Sequence, residues 1–143
     1  MNQDVCLKLV ILPDQFSICR LSTTDIVPEW AYTGSFVSIT RTADELSIVT
    51  KQENVPNGIQ QESGWKCFKI QGPLAFSMSG VLSSLLEPLA VEKVSIFAIS
   101  TYDTDYLLVK QTSLQLAVEI LRRNGHSIDE IPSQTSSSNT VTQ

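Results

Sequence analysis

The stretch Phe36-Val37-Ser38-Ile39-Thr40-Arg41-Thr42-Ala43-Asp44-Glu45-Leu46-Ser47-Ile48-Val49 recurs without a gap as Ile96-Phe97-Ala98-Ile99-Ser100-Thr101-Tyr102-Asp103-Thr104-Asp105-Tyr106-Leu107-Leu108-Val109. The offset is 60 residues throughout. Apolar residues coincide at both ends of the copies. Each copy has a hydroxyl at its fifth position, Thr40 and Ser100, and acids near the middle. A strand, a short polar turn and a second strand read this way. Two copies in one short chain imply two related modules, and the join between paired modules is a common place for a small ligand.

Outward from the first copy, Leu7–Leu12 is a short apolar run, Pro13-Asp14-Gln15 a turn signal, and Phe16–Leu21 an extended run. Proline presets φ and aspartate bonds its own backbone, so the two runs read as a hairpin. Ser22-Thr23-Thr24-Asp25 can start a helix, which Pro28 limits to about one turn. Lys51–Ser63, with Pro56, Asn57 and Gly58, reads as loop with at most one helical turn, and Trp65–Gln71 as a strand. Around the second copy, Val81, Leu82, Leu85, Leu86 and Leu89 share a helical face behind Ser77 or Ser79, with Pro88 expected to bend or end that helix. Thr112 or Ser113 opens a second helix with Leu114, Ala117, Val118 and Leu121 on one face, Gly125 stops it, and 126–131 closes as a strand. Residues 65–131 thus run strand–helix–strand–strand–helix–strand. This order predicts an α+β fold, an antiparallel sheet with two helices in the ferredoxin-like βαββαβ arrangement. The first half repeats the plan with reduced helices. The expected division is 1–64, 65–131 and a disordered tail at 132–143, too rich in Ser, Thr, Asn and Gln to bury a core.

The chain has 143 residues, 42% of them hydrophobic and 17% charged, with a formal net charge of −5. Each half is near the lower size limit for folding alone, so a shared core is expected. The acidic balance argues against nucleic acid, whose phosphates need a basic surface. No apolar stretch approaches the ~20 residues of a membrane-spanning helix, and no signal peptide is evident, so a cytoplasmic setting is expected. Cys6, Cys19 and Cys67 lack metal or redox spacing and read as small buried hydrophobes. The single histidine, His126, sits where a helix gives way to a strand and reads as an ordinary surface or strand residue. With no nucleophile–base set, phosphate loop or zinc spacing, the chain is expected to be no enzyme and to carry no cofactor or metal.

Phe76-Ser77-Met78-Ser79-Gly80-Val81-Leu82 opening a helix, followed by Val94-Ser95-Ile96-Phe97-Ala98-Ile99-Ser100-Thr101-Tyr102-Asp103-Thr104-Asp105-Tyr106-Leu107-Leu108-Val109, resembles an ACT domain. Thr40-Arg41-Thr42 with Glu45-Leu46-Ser47-Ile48-Val49 is similar to the first module of tandem ACT proteins, the group of the CASTOR arginine sensors and the regulatory part of aspartate kinases. The resemblance covers about residues 5–131. It implies two ACT modules packed together, regulation without catalysis, and a small-molecule ligand, often an amino acid, held between modules. The positions it implies are Ser77, Met78, Ser79, Gly80, Val81, Ile99, Ser100 and Thr101. Two departures stand out: Val91-Glu92-Lys93 replaces the family's usual glycine before the second strand, and Pro88 interrupts the helix.

The residue chemistry is compatible with that implication. A helix N-terminus offers free N–H groups and partial positive charge to a carboxylate. Gly80 lets the backbone come close. Asp103 and Asp105 can accept from an ammonium group or a basic side chain. Plainer readings stand beside these: Ser77 and Ser79 as helix caps, Gly80 as a packing residue, Asp103-Thr104-Asp105 as a solvated turn, Arg41 and Glu45 as a surface ion pair. The functional expectation is an amino-acid-binding regulatory protein with a protein partner. The alternative is a structural module that only forms a homodimer through exposed sheet edges.

Overall fold

The computed structural model describes residues 6–72 and 80–130. Along the chain run β1 (Lys8–Ile11), β2 (Phe16–Leu21), β3 (Ser38–Arg41), β4 (Leu46–Lys51), β5 (Gln60–Ile70), α1 (Val81–Val91), β6 (Ile96–Ser100), β7 (Asp105–Lys110), α2 (Leu114–Arg123) and β8 (Ser127–Glu130). Single 3-10 turns occupy Glu29–Tyr32, Gln52–Asn54 and Gln111–Ser113. The tail expected to be disordered lies outside the described residues. The chain forms two compact units: residues 14–65, and the segment before Asp14 together with the chain from Lys66 onward.

In the unit 14–65 the strands lie in the order β3-β4-β2-β5, all antiparallel. With the 3-10 turns at Glu29–Tyr32 and Gln52–Asn54 standing where helices would be, this is βαββαβ with both helices worn down. Alternation puts Cys19 and Leu21 beside Ile48 and Leu46, their register partners. Cys19, Ala31, Leu46 and Ile48 form the core, with Val27, Trp30, Val55 and Ile59 packed on it. Phe16 and Phe36 meet edge to face with centroids 5.6 Å apart.

The second unit contains β5-α1-β6-β7-α2-β8, a full βαββαβ, plus β1. β7 pairs with β6 and β5. β1 lies antiparallel to β5 and parallel to β8. Helix α1 buries Val81, Leu85 and Leu89, and α2 buries Ala117, Ile120 and Leu121. Both pack on Leu7, Leu9, Ile11, Phe68, Ile70, Leu107, Val109 and Ile128 in one core. At roughly 1.5–3 kcal/mol for each fully buried large aliphatic side chain, this cluster dominates the unit's stability.

Several expectations change. Residues before Asp14 do not belong with 14–64, because Leu7, Leu9 and Ile11 are buried against both helices. No hairpin forms about Pro13. β1 pairs with Phe68–Ile70, whereas β2 pairs with residues 60–65 of the same eleven-residue strand. That strand begins at Gln60 within the expected loop. Its polar start, Gln60-Gln61-Glu62-Ser63, carries no apolar alternation, and pairing with β2 decides it. One strand therefore serves as the last of one module and the first of the next.

The repeat is real but its offset is 59. β3–β4 corresponds to β6–β7 residue for residue at that spacing, and the following 3-10 turns, Gln52–Asn54 and Gln111–Ser113, correspond as well. A gap-free offset of 60 puts Ile48 on Leu108, the wrong face. At 59 it falls on Leu107, which like Ile48 faces the helical side of its unit. A slip of one residue exchanges the faces of a strand.

Helix α1 runs through Pro88 to Val91. Proline lacks an N–H, which orphans the carbonyl of Ser84 four residues earlier. The Ser84 backbone instead meets the His126 ring and favours its protonated form. His126 is thus a buried residue, 4% exposed, and not a surface one. Where the family's glycine is missing, Lys93 itself adopts φ 62°. Lys93 N–H donates to Ala90 O at 2.9 Å and Val94 N–H to Leu89 O at 3.0 Å, closing a Schellman motif. Gly125, at φ 96°, closes α2 in the same way. Cys19 and Cys67 are buried as expected, but Cys6 is exposed. The ion pair expected between Arg41 and Glu45 does not form: Arg41 donates to Thr23 O, and Glu45 lies 3.9 Å from Arg20.

Candidate functional site

The expected site has two parts, the opening of α1 and the β6–β7 turn. Ser77, Met78 and Ser79 lie outside the described residues. Gly80 is the N-cap of α1 at φ 80°, and no side-chain hydrogen bond is made from that position. A Cβ built on Gly80 meets nothing within 4 Å. The glycine is therefore required by its left-handed backbone and not by packing. Val81 contributes its side chain to the core, 5% exposed, so only its main chain is open to a ligand.

In the turn, Ile99 is half-buried opposite Tyr106, and Ser100 pairs with Asp105. Ser100 Oγ donates to Asp105 Oδ1 at 2.5 Å. Thr101 N–H and Oγ1 donate to Thr104 O at 2.8 and 3.0 Å. The turn's own bonding thus occupies Thr101 and one oxygen of Asp105, while Asp103 is exposed. Thr104 is buried and its Oγ1 donates to Ile70 O at 2.7 Å. That bond fastens the turn to the end of β5, where the chain leaves toward α1. Burial pushes the Tyr106 phenol upward, and Cys67 and Asp103 add to the rise. The arrangement offers hydroxyls, a free carboxylate and helix-start amides, a set suited to a zwitterion and short of any nucleophile–base pair.

Sequence reasoning missed Thr104 and His126. Thr104 stood between the two aspartates singled out, masked by the reading of the trio as solvated turn.

Two concavities lie elsewhere. One of about 400 Å³ in the C-terminal unit is lined by Ile11, Leu114, Val118, Ile128 and Arg122 among others. The other, about 200 Å³, lies in the unit 14–65 by Arg20, Glu45 and Gln61. None of the expected residues lines either. Among the described residues no group of three or more His, Cys, Asp or Glu is placed to hold a metal ion.

Residues 60–123 match the ACT domain family, and residues 14–58 match a family of N-terminal domains. The chain carries an ACT domain. Its overall α+β architecture is shared with protein Atu0741 of Agrobacterium tumefaciens, whose crystal structure is similar at TM-score 0.86 and 42% identity, over 90% of this chain and 96% of that one. The regulatory subunit of aspartate kinase from Thermus flavus shares the ACT fold at TM-score 0.59 and 10% identity, over 81% of this chain and 95% of that one. The cytosolic arginine sensor for mTORC1 subunit 1 of Bos taurus is 27% identical over 99 residues, 62% of this chain and 30% of the sensor. This ACT protein therefore spans less than a third of that relative's length. Among its described residues no helix is long and apolar enough to cross a membrane.

Proposed function

We propose that this ACT protein is a regulatory module that binds a free amino acid and carries no catalysis of its own. The observation that carries the proposal is the ACT domain at 60–123, whose helix opens on a left-handed glycine without a side-chain cap. In this reading the ligand carboxylate sits on the amides of residues 77–81, with Ser77 and Ser79 hydroxyls beside it. Met78 and Ile99 supply apolar contact. Ser100, Thr101, Asp103 and Asp105 receive the ammonium or a basic side chain. Binding favours one of two arrangements of the protein, which a protein partner reads. The mammalian relatives, named as cytosolic arginine sensors, support an amino-acid ligand and a cytoplasmic setting. A thermal-shift screen of the twenty amino acids tests the proposal. At least one is expected to raise the melting temperature, and Asp103→Asn to reduce that rise; a flat response to all twenty contradicts it.

The second reading is a homodimer without ligand. It is favoured by β6, which among the described residues pairs only with β7 and holds Ile96, Phe97 and Ile99 half-buried. An edge of this kind accepts a strand from a second copy. Size-exclusion chromatography showing a dimer that no amino acid alters would support it over the first.

A further inference from the structure

His126 stands at a junction that the proposed function does not use. Leu7 N–H donates to its Nδ1 at 3.1 Å, at the start of β1. The Ser84 backbone on α1, which Pro88 leaves without a helical partner, also bears on the ring. The Leu7 bond fixes the neutral ring with the proton on Nε2. The ring is 4% exposed. We propose that His126 is a proton-controlled latch that fastens the start of strand β1, closed when the ring is neutral and open when it is protonated. A proton on Nδ1 faces the Leu7 N–H, so that bond is lost, and a cation is left in the core.

Among the described residues nothing nearby compensates that cation. The elements that meet at the ring carry Lys8 on β1, Glu87 on α1 with Glu92 and Lys93 after it, Glu119, Arg122 and Arg123 on α2, and Asp129 and Glu130 on β8. All nine are exposed. Arg123 is paired with Glu92 at 2.8 Å, and Arg122 donates to Ile128 O at 2.8 Å. The exposed thiol of Cys6 is the remaining titratable group on the β1 side. None of these charges bears on the ring's proton affinity, which burial lowers below the ordinary 6.5 and the Ser84 bond partly restores.

The sign follows from linkage. The unfolded chain binds the histidine proton more readily than the folded one. The latch's contribution is therefore complete above the unfolded value and is lost as pH falls through the lower, folded value. Opening frees the Leu7 end of β1, which Ser127 N–H to Leu7 O at 2.9 Å then holds alone at that residue.

The chain's single histidine makes the test direct, since one imidazole resonance reports one site. In the full chain, proton NMR is expected to show that resonance titrating with a midpoint below 6.5. Hydrogen-exchange protection of the Leu7 amide should fall by up to about tenfold per pH unit between 6.5 and that midpoint and level off below it. His126→Gln can accept from Leu7 without titrating, so its Leu7 protection should be flat between pH 7 and 5. A midpoint at or above 6.5 overturns the latch, as does the same pH dependence of Leu7 protection in both proteins. If His126→Gln does not fold, the wild-type midpoint and the Leu7 protection profile decide alone.

Discussion

Lys93 holds a backbone conformation, φ 62°, that β-carbons disfavour. A left-handed residue with a side chain carries about 1–2 kcal/mol of strain, and glycine in its place carries about 0.5–1 kcal/mol of chain entropy. Lys93→Gly should therefore stabilise the protein by up to about 1 kcal/mol, read as a rise in the urea midpoint. The reverse holds at Gly80. Its φ of 80° means that Gly80→Leu strains the helix start even though the space is open. The thiols divide by burial, which pushes Cys19 up to about 11 and Cys67 up to about 12. Thiolates are the reactive form. Ellman's reagent at pH 8 should titrate Cys6 rapidly in the native protein, and all three cysteines only after denaturation. Thr104→Val should cost about 1–3 kcal/mol, because it leaves the Ile70 carbonyl without that donor.

Among the elements, α1 gives the sharpest test. Proline inside a helix is about 3 kcal/mol worse than alanine, and α1 runs through Pro88 to Val91. Pro88→Ala is expected to stabilise by up to about 3 kcal/mol in thermal unfolding. No rise in the melting temperature would contradict this. The elements of the second unit were legible in the sequence because their periods are strong: Val81, Leu85 and Leu89 on one helix, Ala117 and Leu121 on the other. What stayed hidden was tertiary. Gln60–Ser63 has no strand signal of its own, and β1 looks like half of a hairpin until its partners on β5 and β8 are known. The repeat was visible, but chemical likeness aligned it one residue off. Thr40 and Ser100 look interchangeable as hydroxyls, while at the offset of 59 Ser100 corresponds to Arg41.

At the scale of the molecule, the duplicated plan persists through unequal wear. Both copies keep the β-hairpin and the 3-10 turn after it. Only the second extends that turn into a helix, α2, where Leu114 and Val118 meet the core. In the first, Val55 reaches the core directly and Pro56-Asn57-Gly58 ends the element. The loss of helices in the first leaves both helix starts, at Gly80 and Ser113, in the second unit, and binding is argued to occur at the first of them. The parts of the site at the turn were legible as residue types. Their engagement with each other, Ser100 on Asp105 and Thr104 on Ile70, was not, because sequence carries no side-chain direction.

Amide-resolved NMR during titration of the uniformly labelled full chain with whichever amino acid raises the melting temperature is the most direct measurement. Saturable shifts concentrated at Gly80, Val81 and Ser100 to Asp105 are the expected result. Shifts confined to other parts of the chain, or no shift with any of the twenty at millimolar concentration, would contradict amino-acid sensing at this end of the domain.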